Sequence, residues 1–295
     1  MTVTSDPGVE GFVPPTPEGI GTNYDQFAAL HGLIASDVSL HIGMWTLPGE
    51  REPAATLLDL SNRSQERADD YHFETLGLKA TDHLLDIGTR SGGTAIRLAQ
   101  HSGGRSTGVD VSRSQLAKAA ESAEAAGVSD RVTFQYGNAM ELEFPDETFD
   151  AAVALEVFPH LYDRQKGYNE AFRVLKPGSY FLVSEFILRN GKPSDEELDA
   201  FLQTWQIMPP TTAAKTLERA AAAGFDLVKV EDMSQNVAFS GEGMAFLYND
   251  RRDEIVKTYG PEAGEHMDHI MPLIRSFFSN HLGSNLFLLR KPRKV

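Results

Sequence analysis

Apolar and polar positions change their spacing several times along this 295-residue chain. Residues 1–21 carry Pro and Gly with little to bury, which predicts a disordered tail. Between Asn23 and Trp45 aromatic and apolar residues mix, predicting one or two short helices that the stretch PGEREPA breaks. Residues 57–78 then repeat apolar positions at helical spacing and end near Gly77, a long amphipathic helix.

From residue 83 the pattern alternates. HLLDIG is a short apolar run of the kind buried in a parallel sheet, and GGTAIRLAQHS returns to helical spacing. STGVDV is a strand, followed by an Ala-rich helix capped by Ser112 or Ser114. RVTFQYG, FDAAVALEVF and SYFLVSEFIL are further strands, with a helix over RQKGYNEAFRVL that Lys-Pro-Gly ends. Ser194 and Glu197 form a capping-box pattern ahead of a helix, TTAAKTLERAAAAGF is another, and DLVKVEDMS is a strand. Residues 242–280 read as helical with a break near Gly260-Pro261, and NLFLLRK closes the chain as a strand. Seven strands with intervening helices predict an α/β fold: a mostly parallel sheet with helices on both faces.

Composition narrows the partners. The net charge of −15 opposes the phosphates of nucleic acid and the headgroups of anionic membranes. With no cysteine there is no disulfide, thiolate metal site or cysteine nucleophile. The N-terminus has no basic segment leading into an apolar one, and no run approaches about 18 apolar residues. A cytoplasmic protein with no membrane insertion is expected. His266 and His269 stand one helical turn apart without an evident third ligand, so a solvated helix face is expected and no metal site.

The strongest chemical signal is LLDIGTRSGG at 84–93, an apolar strand running into a glycine-rich turn. Glycine lets a ligand approach the backbone, and the following helix points N–H groups and a positive dipole end toward it. Asp110, 22 residues after Gly88 at the end of the next strand, stands where a carboxylate accepts hydrogen bonds from ribose hydroxyls. The dinucleotide pattern G-x-G-x-x-G is not matched, because Arg90 occupies the place of the second glycine.

The spacing from Asp86 through Gly88 to Gly92 instead resembles motif I of the class I S-adenosylmethionine (SAM) methyltransferases. GNAMELEFPDETFDAAVALEVFPHL, EAFRVLKPGSYFLVSE, DVSRSQ and SLHIGMW resemble successive segments of the small-molecule, natural-product tailoring branch, which is related to cyclopropane fatty acid synthases. The resemblance covers roughly residues 22–190 and implies a Rossmann-like core over 76–190. It also implies an N-terminal helical lid over 22–75, and a substrate lid with the last two strands over 191–295. It implies SAM as cofactor and S-adenosylhomocysteine as product. Gly88 and Gly92 would receive the methionine part, and Asp110, with Val111 and Gln115 beside it, would hold the ribose. Asn138 and Ala139 would border the adenine, and Glu156 would meet the methionine end. Tyr24, His41 and Trp45 would close over the cofactor from the lid, and His160 would be the base that deprotonates the acceptor.

Arg90, Asn138 and Ser179 depart from the family pattern. Arg90 would pair with the SAM carboxylate, point outward, or lie across the cleft. The implied activity is SN2 methyl transfer to a hydrophobic small-molecule substrate. The alternatives are a cyclase that keeps the fold with SAM structural or absent, and a non-catalytic binding protein. Trp205 and the Phe and Met residues of 239–278 are expected mainly to pack, with some lining an acceptor pocket, and a homodimer is one assembly that the N-terminal and late helical segments allow.

Overall fold

In a computed structural model, the structure describes residues 13–34, 41–45, 56–189 and 191–293. Two helices lead, α1 (Pro17–Ile34) and α2 (Leu57–Leu76). An alternating core follows: β1 (His83–Ile87), α3 (Gly93–Ser102), β2 (Arg105–Asp110), α4 (Arg113–Ala125), β3 (Val132–Tyr136), β4 (Phe149–Ala154), α5 (Arg164–Val174) and β5 (Leu175–Leu188). The last part holds α6 (Asp195–Trp205), α7 (Ala213–Ala223), β6 (Asp226–Asp232), α8 (Ser234–Tyr259), α9 (Pro261–Asn280) and β7 (Leu282–Arg290).

The strands form one seven-stranded sheet in the order β3-β2-β1-β4-β5-β7-β6. Pairing is parallel from β3 to β5, and β7 runs antiparallel to both β5 and β6. This is the expected mostly parallel α/β sheet. Successive strand residues turn to opposite faces, and both faces are covered. Leu85, Ala152, Phe181 and Phe287 meet α5 and α7 on one side. Leu84, Val153, Leu182 and Leu286 meet Leu76 and Leu98 on the other. Chain order reverses at β1, whose two neighbours are β2 and β4, and the carboxyl ends of these strands open a crevice.

A second apolar core sits beyond those ends. Phe186, near the end of the long strand β5, packs with Phe201 of α6, Val237 and Met244 of α8, and Ile274 and Phe277 of α9. Thus α8 and α9, inserted between two strands of the sheet, build a helical roof over the crevice.

Local chemistry explains most boundaries. Ser112 caps α4 by accepting from Gln115 N, and Ser194 with Glu197 closes a full capping box on α6. Gly77 ends α2 in the left-handed conformation. One boundary differs from expectation. The region read as tail through residue 21 is helical from Pro17. Proline is suited to the first helical position, the Thr16 hydroxyl accepts from Gly19 N at 3.1 Å, and Ile20 is buried. Residues 1–12 lie outside the described residues.

Phe287 is fully buried on β7 at the centre of the antiparallel pairing, whereas Leu227 on the edge strand β6 is 47% exposed. Phe287→Ala is expected to cost about 3–5 kcal/mol, seen as a lower urea midpoint at unchanged m-value. Leu227→Ser is expected to stay within about 0.5 kcal/mol.

Candidate active site

The turn after β1 is held from below. Gly88 N and Thr89 N both donate to Val109 O on β2, at 2.8 and 3.0 Å. Gly88 has φ 74°, and a Cβ there would lie 2.3 Å from Val157 Cγ2, so a side chain is excluded by conformation and by contact. Gly92 serves differently. A Cβ on it would meet Phe134 Cζ at 2.6 Å and Ala119 Cβ at 3.0 Å, so this glycine allows α3 to pack against β3 and α4. It is not among the residues that line the cavity. Its neighbours Gly93 and Thr94, at the N-terminus of α3, line the cavity.

A cavity of about 1040 Å³, including its mouth, opens above this turn. It brings together Tyr24, His41, Asp86, Gly88, Arg90, Asp110, Val111, Gln115, Asn138, Ala139, Glu156 and His160. Each was expected in the site. Pro17 and Ile20 of α1, Thr89, Thr94 and Leu161 also line it, and none of them was singled out in the sequence. Their only signal was proximity in sequence to residues that were.

Asp110 is half-buried with both oxygens engaged, Oδ2 accepting from Arg90 N and Oδ1 from Ser112 N, each at 2.8 Å. Burial raises its pKa against these hydrogen bonds. Asp86 accepts from the Thr89 hydroxyl at 2.7 Å, and burial, with Asp69 and Asp110 nearby, pushes its pKa up to about 7. Glu156 Oε1 accepts from Ser184 Oγ at 2.8 Å and Oε2 from Ile42 N at 3.2 Å, with its pKa raised by burial. Asn138 Oδ1 accepts from Met140 N at 2.9 Å, so the amide that replaces the family's acid closes its own turn. Arg90 is in the left-handed region at φ 51°, half-buried, and its charge acts on both Tyr24 and Asp110. Its side chain therefore faces the cavity.

His160 stands on a single 3-10 turn, Phe158–His160, after β4. Its Nδ1 lies 3.1 Å from Gln206 O, an atom that only accepts, so Nδ1 carries the proton. Nε2 is then the lone-pair atom, 3.4 Å from the Tyr24 hydroxyl. Burial lowers the His160 pKa to about 4 and raises that of Tyr24 to about 12, so both groups are neutral near pH 7. Glu156 and Gln206, like Arg90, are non-glycine residues with positive φ, at 52° and 51°. Strained backbone thus collects around His160 and the cofactor turn.

A second cavity of about 670 Å³ adjoins the first. Tyr24, His41, Glu156 and His160 line both. The remaining wall is mainly apolar, with Phe186, Trp205, Ile207, Met244, Leu247 and Phe278. Trp45, expected at the cofactor, lines this second cavity and not the first. Its indole N–H donates to Ser240 Oγ at 2.9 Å and its backbone N–H to Asn236 Oδ1 at 3.1 Å, which draws the ring to α8. His266 and His269 are exposed on α9, and among the described residues no group of three or more His, Asp or Glu is arranged to hold a metal ion. Among them no helix is long and apolar enough to cross a membrane.

A glycine turn, a helix N-terminus and an acid ending the second strand, all at the switch point of a doubly wound sheet, define a nucleoside-binding α/β protein. The family described as "Methyltransferase domain" matches residues 85–183, from β1 into β5. The 27-O-demethylrifamycin SV methyltransferase of Amycolatopsis mediterranei is 36% identical over 226 residues, covering 75% of this chain and 78% of that protein. Among solved structures the [4+2]-cyclase SpnF is similar at TM-score 0.79 and 26% identity, over 97% of this chain and 99% of that one. The cyclopropane synthase MmaA2 of Mycobacterium tuberculosis shares the fold at TM-score 0.81 and 19% identity, over 95% and 99% of the two chains. The chain belongs to the class I SAM-dependent methyltransferases.

The residues present fit that family's cofactor. SAM is a sulfonium with an ammonium, a carboxylate and a nucleoside. The first cavity offers Asp86, Asp110 and Glu156 to its cationic and hydroxyl groups, Arg90 and the α3 amides to its carboxylate, and Val111, Ala139 and Leu161 to its purine.

Asp86 yields a pH dependence. Its folded pKa of about 7 exceeds its ordinary 3.8, so the folded ligand-free protein holds a proton that the unfolded chain has lost over that interval. The contribution of Asp86 to stability is full below the lower value and is lost as pH rises through the upper one. Asp86→Asn is therefore expected to gain stability relative to wild type as pH rises through this window, measured by urea unfolding in the absence of ligand. An unchanged difference across the window would place the Asp86 pKa in the ordinary carboxylate range.

Proposed function

We propose that the protein transfers a methyl group from SAM to an uncharged, largely apolar small-molecule acceptor, with His160 as general base. The observation that carries this reading is the junction of the two cavities, one bordered by Asp86, Asp110 and Glu156, the other walled mainly by apolar side chains, with His160 on their shared wall.

The residues divide the work. Asp110 and Gln115 would hold the ribose, Arg90 and the amides at the start of α3 the carboxylate, and Asn138 with Ala139 the adenine edge. When bound, SAM supplies a sulfonium methyl whose sulfur keeps the bonding pair on departure. Trp205, Phe278 and Met244 would seat the acceptor by burying its apolar surface and excluding water. The acceptor hydroxyl competes with Tyr24 for the His160 lone pair. Its proton passes to Nε2 as the oxygen commits its own pair to the new bond. Gln206 O keeps Nδ1 protonated, so Nε2 is presented in the basic tautomer throughout. The low pKa of His160 keeps it unprotonated above about pH 4, ready to accept but weakly basic until the acceptor's charge develops beside it.

A second reading rests on SpnF, similar over nearly the whole chain. In it the same apolar cavity would fold a reactive substrate for ring closure without methyl transfer. Calorimetry with SAM and S-adenosylhomocysteine, followed by mass spectrometry of the product, separates the two. Methyl transfer is expected to give binding of both nucleosides and a product heavier by one methylene. An isomeric product of unchanged mass would establish the cyclase instead, and binding of neither nucleoside would end the methyltransferase reading. His160→Ala is expected to lower kcat about 10²–10⁴-fold with SAM affinity kept. Full turnover by this variant would remove the base assignment.

A further inference from the structure

A second histidine borders the junction, and its surroundings are the opposite of those of His160. His41 is 5% exposed at its side chain, and its Nε2 lies 3.3 Å from Asp69 Oδ1. Its Nδ1 lies 3.4 Å from Ile42 O. A carboxylate and a carbonyl both accept, so both ring nitrogens meet their neighbours only as donors, and the ring carries two protons.

Asp69 lines neither cavity. It sits behind His41 on α2, where its Oδ1 also accepts from the hydroxyl of Thr94 at 2.8 Å. Thr94 opens α3 and lines the first cavity. Gln65, one turn before Asp69 on α2, brackets the backbone of His41, accepting from its N–H at 3.3 Å and donating to its carbonyl at 2.7 Å. One carboxylate therefore ties the segment 41–45 to the helix that follows the glycine turn, and it turns the positive end of an ion pair toward the junction.

Every element packed on His41 supports that charge or tolerates it. Asp69 of α2 faces its Nε2, and Glu156, after β4, adds a second negative charge. Asp86 of β1 also feels the His41 charge. Tyr24 and His160 share the cavity wall and are neutral. His72 of α2 stands edge-on to His41 with ring centroids 5.6 Å apart, and its Nδ1 is 4.0 Å from Asp69. His72 is pushed down to about 3 by burial, then by the His41 charge, so it stays neutral beside its partner. Burial alone would strip the proton from His41, and the Asp69 hydrogen bond and charge, with Glu156, reverse that direction.

We propose that Asp69 is a positioning residue that holds His41 as a buried imidazolium at the junction of the two cavities, where its charge stabilises the anion that forms as the acceptor loses its proton. The two histidines then divide the task, His160 neutral to take the proton and His41 cationic to favour its loss. Environments that push two like groups to opposite charge states are how one site performs both roles near neutral pH. The catalytic part of this inference rests on the methyltransferase reading, and the charge state does not.

The test begins on the ligand-free full chain labelled with ¹⁵N in histidine, with the His41 signal assigned by its loss in His41→Gln. At about pH 8, above the ordinary imidazole pKa, His41 is expected to show two equivalent protonated ring nitrogens. In Asp69→Asn it is expected to lose one proton and show a neutral tautomer. A neutral His41 in the wild type would overturn the proposal while leaving methyl transfer untouched. The second arm is the pH profile of kcat. Without the imidazolium the acceptor ionises less readily, so its limb is expected to move up by about one pH unit in both Asp69→Asn and His41→Gln. A uniform loss at every pH would mark His41 and Asp69 as merely structural and overturn the catalytic role. Failure of the chain to bind SAM, with His41 still doubly protonated, would instead defeat the methyltransferase reading alone.

Discussion

A carboxylate taken out of water has to find donors; Asp69 and Asp86 are buried, and Asp110 and Glu156 half-buried, in and behind the wall of the first cavity. Their donors come from separate parts of the chain. Asp110 takes two backbone N–H groups from the turns after β1 and β2. Glu156 takes one from Ile42 and a hydroxyl from β5. Asp69 takes His41 and Thr94. Satisfying the acids therefore joins the N-terminal segment, the glycine turn and the strand ends into one unit. Each carboxylate left unpaired would cost more than most single contacts in the molecule contribute.

This arrangement makes the first cavity acidic and the roof above it apolar. The sheet supplies the first because parallel strands end together, with Asp86, Asp110 and Glu156 at or just beyond the ends of β1, β2 and β4. The helices inserted around β6 supply the second, since α6, α8 and α9 bury aromatic rings against Phe186. Where the two meet, the side chains are titratable. Tyr24 and His160 are held neutral by burial, and His41 is held charged by a buried partner. The same low dielectric drives both outcomes, and the partner decides the sign.

The N-terminal segments are fastened more firmly than their composition suggests. Asp25 of α1 accepts from the hydroxyls of Ser112 and Ser114 at the start of α4, and Gly21 packs so closely on Val111 that a Cβ would lie 2.6 Å from its carbonyl oxygen. Trp45 is anchored on α8. The N-terminal segments thus touch α4 and Val111 beside the first cavity at one end and α8 beside the second at the other.

By itself the sequence determined the alternating core, because period-two and period-3.6 patterns, capping residues and glycine turns are local properties of the chain. Gly88 and Asp110 could be singled out for the same reason, each lying at a fixed offset from a strand end, and Glu156 through the family resemblance. Only the tertiary structure decided which side chains share a cavity. Gly92 packs on Phe134, Trp45 is held on α8, and the helix at Pro17 reaches the cavity above the glycine turn. Asp69 carried no motif and read as one acid among many on an amphipathic helix. Its role exists only because folding brings His41 and Thr94, 28 and 25 residues away, onto one buried oxygen, and a charge state set by burial and partners has no local signature in the chain.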